Sequence, residues 1–282
     1  MRRLGCALVL LGSLPWPCLA GEKGDKSSYN FFRPVPDSLM REMATDRPDK
    51  TESAYTVDAG HYQLEMDFVN YTYDRSTHET SRLLAVAPVN LKVGILNNLD
   101  LQIVIEPWNV QETTDRDTGR TRRVSGTGDT TLRAKINLWG NDGGSTAMAV
   151  MPFLKVPTAK DDLGNGAVEG GIILPFAIQL PAEWELGAQV EVHHLRDEDS
   201  SNYHQELSNT VTVSHDIAGK LGGYLELFNN VSNEKHSAWI ATFDVGLTYA
   251  VTRDIQLDAG CNIGLTEAAD DLNPFIGISM RY

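Results

Sequence analysis

The sequence predicts an all-β fold: a transmembrane, antiparallel, up-and-down β-barrel of about twelve strands, with an N-terminal periplasmic or plug-like arm. Three observations predict it. From residue 60 onward, apolar and polar residues alternate with a period of two. The connections alternate between mostly longer, charged loops and mostly tight turns, as barrels of this kind do. The final segment carries one apolar face that ends on the aromatic Tyr282.

Composition agrees with this reading and removes others. The 282 residues hold 24 Lys+Arg against 38 Asp+Glu, a formal charge of −14. A nucleic-acid partner is not expected, because phosphate neutralisation calls for a basic surface. A polytopic helical membrane protein would be more apolar, and the aromatic and β-branched content argues against disorder. A barrel strand is only half apolar, so its average hydropathy resembles that of a soluble protein.

Residues 1–20 read as a signal peptide. Arg2 and Arg3 precede an apolar stretch over 4–14, Pro15 and Pro17 break it, and Cys18-Leu19-Ala20 offers small side chains before Gly21. That stretch is too short to span a bilayer. Cleavage removes Cys6 and Cys18, leaves Cys261 alone, and rules out an intrachain disulfide framework. Residues 21–59 form the arm. Arg33-Pro34-Val35-Pro36 is predicted extended, and Asp37 is expected to cap a short helix over 38–43. The charged run Thr45–Ser53 suits either a solvated periplasmic arm or a segment tucked into the barrel mouth, with the second slightly favoured.

The barrel is assigned to residues 60–282. Its first segment, 60–74, places Tyr62, Leu64, Met66 and Phe68 on one face but Val69, Tyr71 and Tyr73 in the other phase, which predicts a bulge near Phe68. Segments 82–96 and 99–112 alternate through Leu91, Val93 and Ile95, and through Leu99, Leu101, Ile103 and Ile105. Segment 127–139 alternates through Leu132, Ala134, Ile136 and Leu138. Segments 145–157 and 167–180 follow, then 183–196 with Trp184, Leu186, Ala188, Val190 and Val192 in phase. Segments 203–216, 220–231, 237–251 and 254–265 lead to 272–282, where Leu272, Ile276, Ile278, Met280 and Tyr282 share a face. Most segments are long enough to cross a bilayer at a tilt. Pro88, Pro107, Pro152 and Pro175 interrupt this pattern, marking bulges or strand ends placed too late. The longer loops are expected at 75–81, 113–126, 158–166, 197–202, 232–236 and 266–271.

If the apolar phase faces lipid, the polar phase lines the lumen. The selectivity candidates are then Glu65, Asp67, Lys92, Asp100, Glu106, Arg133, Lys135, Glu185, Glu191, Glu226, Asp244, Asp258 and Arg281, with Glu169 on the same phase. Acids outnumber bases among them, so an aqueous path would prefer cations. The alternative is that these charges pair and plug a narrow barrel. Tyr71, Tyr73, Trp108, Trp139, Trp184, Trp239, Tyr249 and Tyr282 fall where interfacial girdles sit. Catalytic residues, a cofactor and a metal site are not expected. His193 and His194 point to opposite faces, with His204 and His215 on the next strand, and no nucleophile-elbow, zincin or phosphate-loop pattern is present. Expected partners are outer-membrane lipid, lipopolysaccharide (which the loop around Arg116–Arg123 could touch) and the barrel-assembly machinery, reached through the strand ending at Tyr282.

Two runs carry a family resemblance. Thr45–Ser53 (TDRPDKTES), continuing through Tyr55–His61, and Leu154–Ala159 with Leu163–Gly166 and Glu169–Gly171 are similar to motifs of a bacterial outer-membrane transporter family labelled for the meta-pathway of phenol degradation. The resemblance spans roughly 45–282. It implies an outer-membrane barrel with a transport role; the label links the family to aromatic degradation without establishing a substrate, and the charged lumen fits poorly with free passage of a bare aromatic hydrocarbon. The leading expectation is a Gram-negative outer-membrane channel that passes small solutes passively, either cation-preferring or linked to uptake of aromatic compounds. Two other functions fit the residues: a closed-lumen structural or adhesive barrel, and a soluble exported β-sandwich that binds carbohydrate.

Overall fold

The computed structural model describes residues 25–160, 163–197 and 200–282. The signal-peptide assignment lies outside them. The chain builds one antiparallel sheet that closes on itself through pairing of its first and last strands. The strands are β1 (Tyr62–Arg75), β2 (Glu79–Val86), β3 (Val89–Leu96), β4 (Leu99–Ile105), β5 (Trp108–Asp115), β6 (Thr121–Gly126), β7 (Thr130–Trp139), β8 (Thr146–Val156), β9 (Glu169–Gln179), β10 (Glu185–Arg196), β11 (Tyr203–Ala218), β12 (Leu221–Ser232), β13 (Ile240–Thr252), β14 (Ile255–Gly264) and β15 (Leu272–Arg281). They make twelve passes along the barrel wall, because β2/β3, β4/β5 and β6/β7 are each one pass broken in two.

The breaks correct the continuous segments expected at 82–96, 99–112 and 127–139. Two fall at Ala87-Pro88 and Glu106-Pro107, where the proline has no N–H for the ladder; Ala87 there takes a positive φ of 55°. The third falls at Thr127-Gly128-Asp129. The predicted bulge is present: the β1–β15 register shifts between Asp67 and Val69, isolating Phe68. At the same level β1 exchanges its other partner, pairing β3 over Tyr62–Met66 and β2 over Val69–Arg75.

Pro152 and Pro175 behave differently. Each stays inside an unbroken strand, and each lies where one ladder lapses. The β7–β8 pairing skips between Arg133↔Phe153 and Ile136↔Val150, beside Pro152. The β8–β9 pairing skips between Met148↔Phe176 and Met151↔Ile173, beside Pro175. Only the side that would have received the N–H loses its bonds.

Both chain ends of the barrel lie at one rim, the near end, where the amide of Tyr62 donates to the carbonyl of Tyr282 at 3.0 Å and the amide of Tyr282 donates to the carbonyl of Tyr62 at 2.8 Å. The near-end turns are short. At the far end, the loop expected over 113–126 is mostly strand: β5 and β6 form a hairpin pairing Asn109↔Gly126 through Thr114↔Thr121. The far-end connection after β1 is likewise a tight turn, so loop length separates the two ends less cleanly than the sequence suggested.

The two faces separate as expected. Leu101, Leu132, Leu154, Ile172, Val190, Val211, Leu225, Leu227, Leu247 and Ile276 point outward and are exposed, with Trp108, Trp139, Trp184, Trp239, Tyr249 and Tyr282 near the strand ends. This apolar belt suits lipid contact, and the closed sheet pairs the backbone as a membrane requires. The interior is the inverse: Glu65, Asp100, Lys135, Gln189, Glu226 and Asp244 are buried.

Candidate functional site

The interior is occupied in its near half by the arm. Residues 25–59 fold against and into the near mouth. The short helix there is a single 3₁₀ turn, Asp37–Leu39, with Pro36 at its N-cap and no side-chain cap, correcting the expected Asp37-capped helix over 38–43. A proline at that position has no side-chain acceptor to offer. From about residue 41 the chain rises into the lumen, reaches the middle strands near Lys50, and returns to Ala59 and Gly60, where the amide of Gly60 donates to the carbonyl of Gly94 at 2.8 Å. The arm is thus a loop whose two legs both leave through the near end.

Its contacts are mostly ionic and polar. Near the mouth, the backbone N–H of Arg41 donates to Asp58 at 2.8 Å and its guanidinium to Asn97 at 2.7 Å. Lys26 pairs with Asp58 at 3.0 Å and with Asp142 at 2.9 Å. One turn deeper, Asp46 accepts from the ammonium groups of both Lys92 and Lys135 and from the amide of Ser53 at 3.0 Å. Its own amide donates to Glu65 at 3.0 Å. Arg47 grips Asp258 through two nitrogens, at 3.1 and 2.6 Å, and reaches Asp67 at 2.5 Å. At the top of the loop, the amides of Lys50 and Thr51 donate to the two oxygens of Glu226 at 2.8 and 2.9 Å. The Lys50 ammonium pairs with Asp244 at 3.0 Å and lies 4.4 Å from the centre of the Phe228 ring. On the return leg Glu52 accepts from Arg133 at 2.7 Å, and the amide of Val57 donates to Asp100 at 3.0 Å.

Charges in the arm respond to this setting. Burial alone would raise Asp46, but Lys135 and Lys92 outweigh it and hold the carboxyl well below the usual range. Glu52 moves the other way, pushed up to about 8 by burial and by the neighbouring Asp46 charge, with Arg133 opposing. Asp49 is raised by burial and by Glu226.

Two glycines make room for the loop. A Cβ on Gly94 would lie 2.1 Å from the carbonyl oxygen of Asp58, and one on Gly277 would lie 2.1 Å from the Arg47 guanidinium. The wall over β8 and β9 is different again. There Ala147, Ala149, Ala177 and Met151 are buried and face inward, and Ala54 and Tyr55 of the arm pack on Ala147 and Ala177.

Every lumen candidate except Glu106, Glu185 and Glu191 meets the arm directly; Arg281 does so by donating to the carbonyl of Arg41 at 2.9 Å. Glu106 sits at the break between β4 and β5 and accepts from Asn109 at 2.7 Å. Glu185 lies on the inward phase of β10. Glu191 lies above the arm beside His193, 2.8 Å away. It opens onto a cavity of about 380 Å³ in the far half, walled by Phe153, Leu195, Phe228, Glu169, Glu191 and Glu206. Sequence reasoning missed this cavity. Phe153, His193 and Leu195 share the inward phase of their strands, a signal that was present but read only for charge.

The histidines separate as the pleat requires. His193 faces inward, with its ring 5.5 Å from that of Phe153, while His194 stacks on Tyr203 at 4.7 Å. His215 stacks on Trp184 at 4.4 Å. His204 instead joins a rim cluster with Asp197 at 3.0 Å, Glu206 at 3.3 Å and Glu234 at 3.8 Å.

Comparison with known proteins adds the following. A family model described as "Putative MetA-pathway of phenol degradation" matches residues 45–282. An outer membrane channel from Pseudomonas putida F1 is similar in structure at a TM-score of 0.58 and 14% identity, over 79% of this chain and 93% of that one. The NanC porin gives a TM-score of 0.49 at 12% identity, over 76% and 98% of the two chains. No curated protein matches by sequence. At 14% identity the likeness to the Pseudomonas putida channel is one of fold.

Proposed function

Because the chain belongs to the MetA-pathway of phenol degradation family, we propose that it is an outer-membrane barrel that passes small solutes passively, with the arm as its resident plug. The observation that carries this reading is the chemistry of the seal. The loop is held by salt bridges and amide–carboxylate bonds rather than by a continuous apolar core. Such a seal exchanges readily for water, since each polar group released is rehydrated, whereas an apolar plug would resist withdrawal. The near end is periplasmic, in keeping with an even number of passes and short turns there. The protein is exported through a cleaved leader and assembled by way of the strand ending at Tyr282. Solutes move by diffusion through the lumen charges, which favour cations once the loop withdraws, and the family description points to aromatic compounds as the solute class.

A second reading is a closed structural or adhesive barrel, favoured by the filled near half. Planar-bilayer recordings separate the two. The channel reading expects brief, rare openings from the full chain and frequent, cation-preferring openings from the Arg47→Ala/Lys50→Ala variant. Silence from both proteins, each showing the heat-dependent gel mobility of a folded barrel, would establish the closed reading instead.

A further inference from the structure

We propose that the far-half cavity is a binding site for an organic cation: a primary or quaternary ammonium carrying a compact apolar or single-ring body. Its walls hold the two features that such a ligand needs. Phe153 and Phe228 supply aromatic surface, and Leu195 continues the apolar wall between them. Three carboxylates, Glu169, Glu191 and Glu206, border the same space against a single lysine, Lys155. That lysine is committed to Glu169, whereas Glu191 faces the His193 imidazole at 2.8 Å and Glu206 faces His204 at 3.3 Å and the Asn230 amide at 2.9 Å, so neither of these two carboxylates is matched by a lysine or arginine among the described residues. The volume of about 380 Å³ lies within the span of small-molecule sites and holds one ring with its substituent.

The molecule already contains a version of the contact. The Lys50 ammonium rests 4.4 Å from the Phe228 ring centre, so the ring's π-face accepts a cation in this setting. A ligand ammonium would sit between Glu191 and Glu206, with its body against Phe153 and Leu195. Anions are disfavoured, because Lys155 is paired with Glu169 and Lys50, beside the Phe228 ring, is paired with Asp244. A neutral ring would gain the apolar contact without the charge. The site lies above the arm, so an incoming cation meets it from the far side while the plug is in place.

Binding is measured without transport, so its outcome is independent of whether the barrel conducts. Isothermal titration of the folded full-length protein in detergent would compare benzylammonium, benzyl alcohol and benzoate. The expected result is saturable one-to-one binding of benzylammonium, at least tenfold weaker binding of the alcohol, and none of benzoate. Glu191→Gln should weaken the ammonium at least tenfold while leaving the alcohol unchanged. If that variant lacks the heat-dependent mobility of a folded barrel, Phe153→Leu takes its place, with both ammonium and alcohol expected to weaken. Equal binding of alcohol and ammonium, binding of benzoate, or no loss on substitution would overturn the proposal.

Discussion

The near and far halves of the lumen are built from the same strands and in the same alternating phase, yet one is filled and the other is hollow. In the near half, wall charges face a segment with matching ones: Arg47 against Asp67 and Asp258, and Asp46 against Lys92 and Lys135. In the far half, the carboxylates pair among neighbours on the wall, as Glu191 does with His193 and Glu169 with Lys155. The difference teaches that lumen charge alone does not define a conduit. Glu226, a selectivity candidate by sequence, spends both its oxygens on the amides of the loop.

The sharpest way to break this contrast is to remove the loop's central cation. Arg47→Ala leaves the buried Asp258 without its ion partner and Asp67 with the Asn70 amide alone, a loss of about 3–5 kcal/mol for a buried pair. Loop docking should weaken at least a hundredfold, seen as rapid protease cleavage within 41–59 and as frequent channel openings. A smaller effect is expected from Gly277→Ala, whose Cβ would strike the Arg47 guanidinium. Overpacking of this kind costs about 1–3 kcal/mol, and cleavage should accelerate about tenfold; Gly94→Ala, which meets the Asp58 backbone instead, serves as a second copy of the test. An unchanged digest from both would show that the loop does not depend on these close approaches.

The smallest change comes from pH. Glu52 is held near 8 when docked, against an ordinary 4.5. Its raised value means that docking is favoured most below about 4.5, weakens as pH climbs toward 8, and is flat above. Asp46 has the opposite sign: its value is depressed, so its contribution is present above about 3.8 and fades only in stronger acid. Between pH 5 and 8 the Glu52 effect governs, and loop cleavage should rise with pH. Glu52→Gln should flatten that rise, and a rise that persists in this variant would assign it to Asp49 or another group.

The barrel was legible because membrane crossing imposes a strict rule on each strand, and that rule is visible in single positions: Leu101 and Leu132 outward, Asp100 and Arg133 inward. The bulge at Phe68 was legible for the same reason, as a change of phase. The fate of each proline was not. Pro88 ends a strand, while Pro152 interrupts only the ladder to the one neighbour its missing N–H would have served. That neighbour is a property of the assembled sheet. The arm's charges were readable as a candidate plug, but their partners lie up to 211 residues away, as between Arg47 and Asp258, and no local pattern identifies such pairs. The cavity went unread because its phenylalanines are spread over strands that meet only in the closed ring.

The two legs of the inserted loop leave by the same mouth, and the second continues directly into β1. A segment arranged this way enters like a folded ribbon pushed into a tube, without its end passing through. The ring can therefore be sealed at the β1–β15 seam before the loop goes in, with no threading and no knot. Wall assembly and lumen filling are then separable steps in the life of the molecule. A newly closed barrel would pass through a hollow stage, and any withdrawal of the loop later retraces that same stage in reverse.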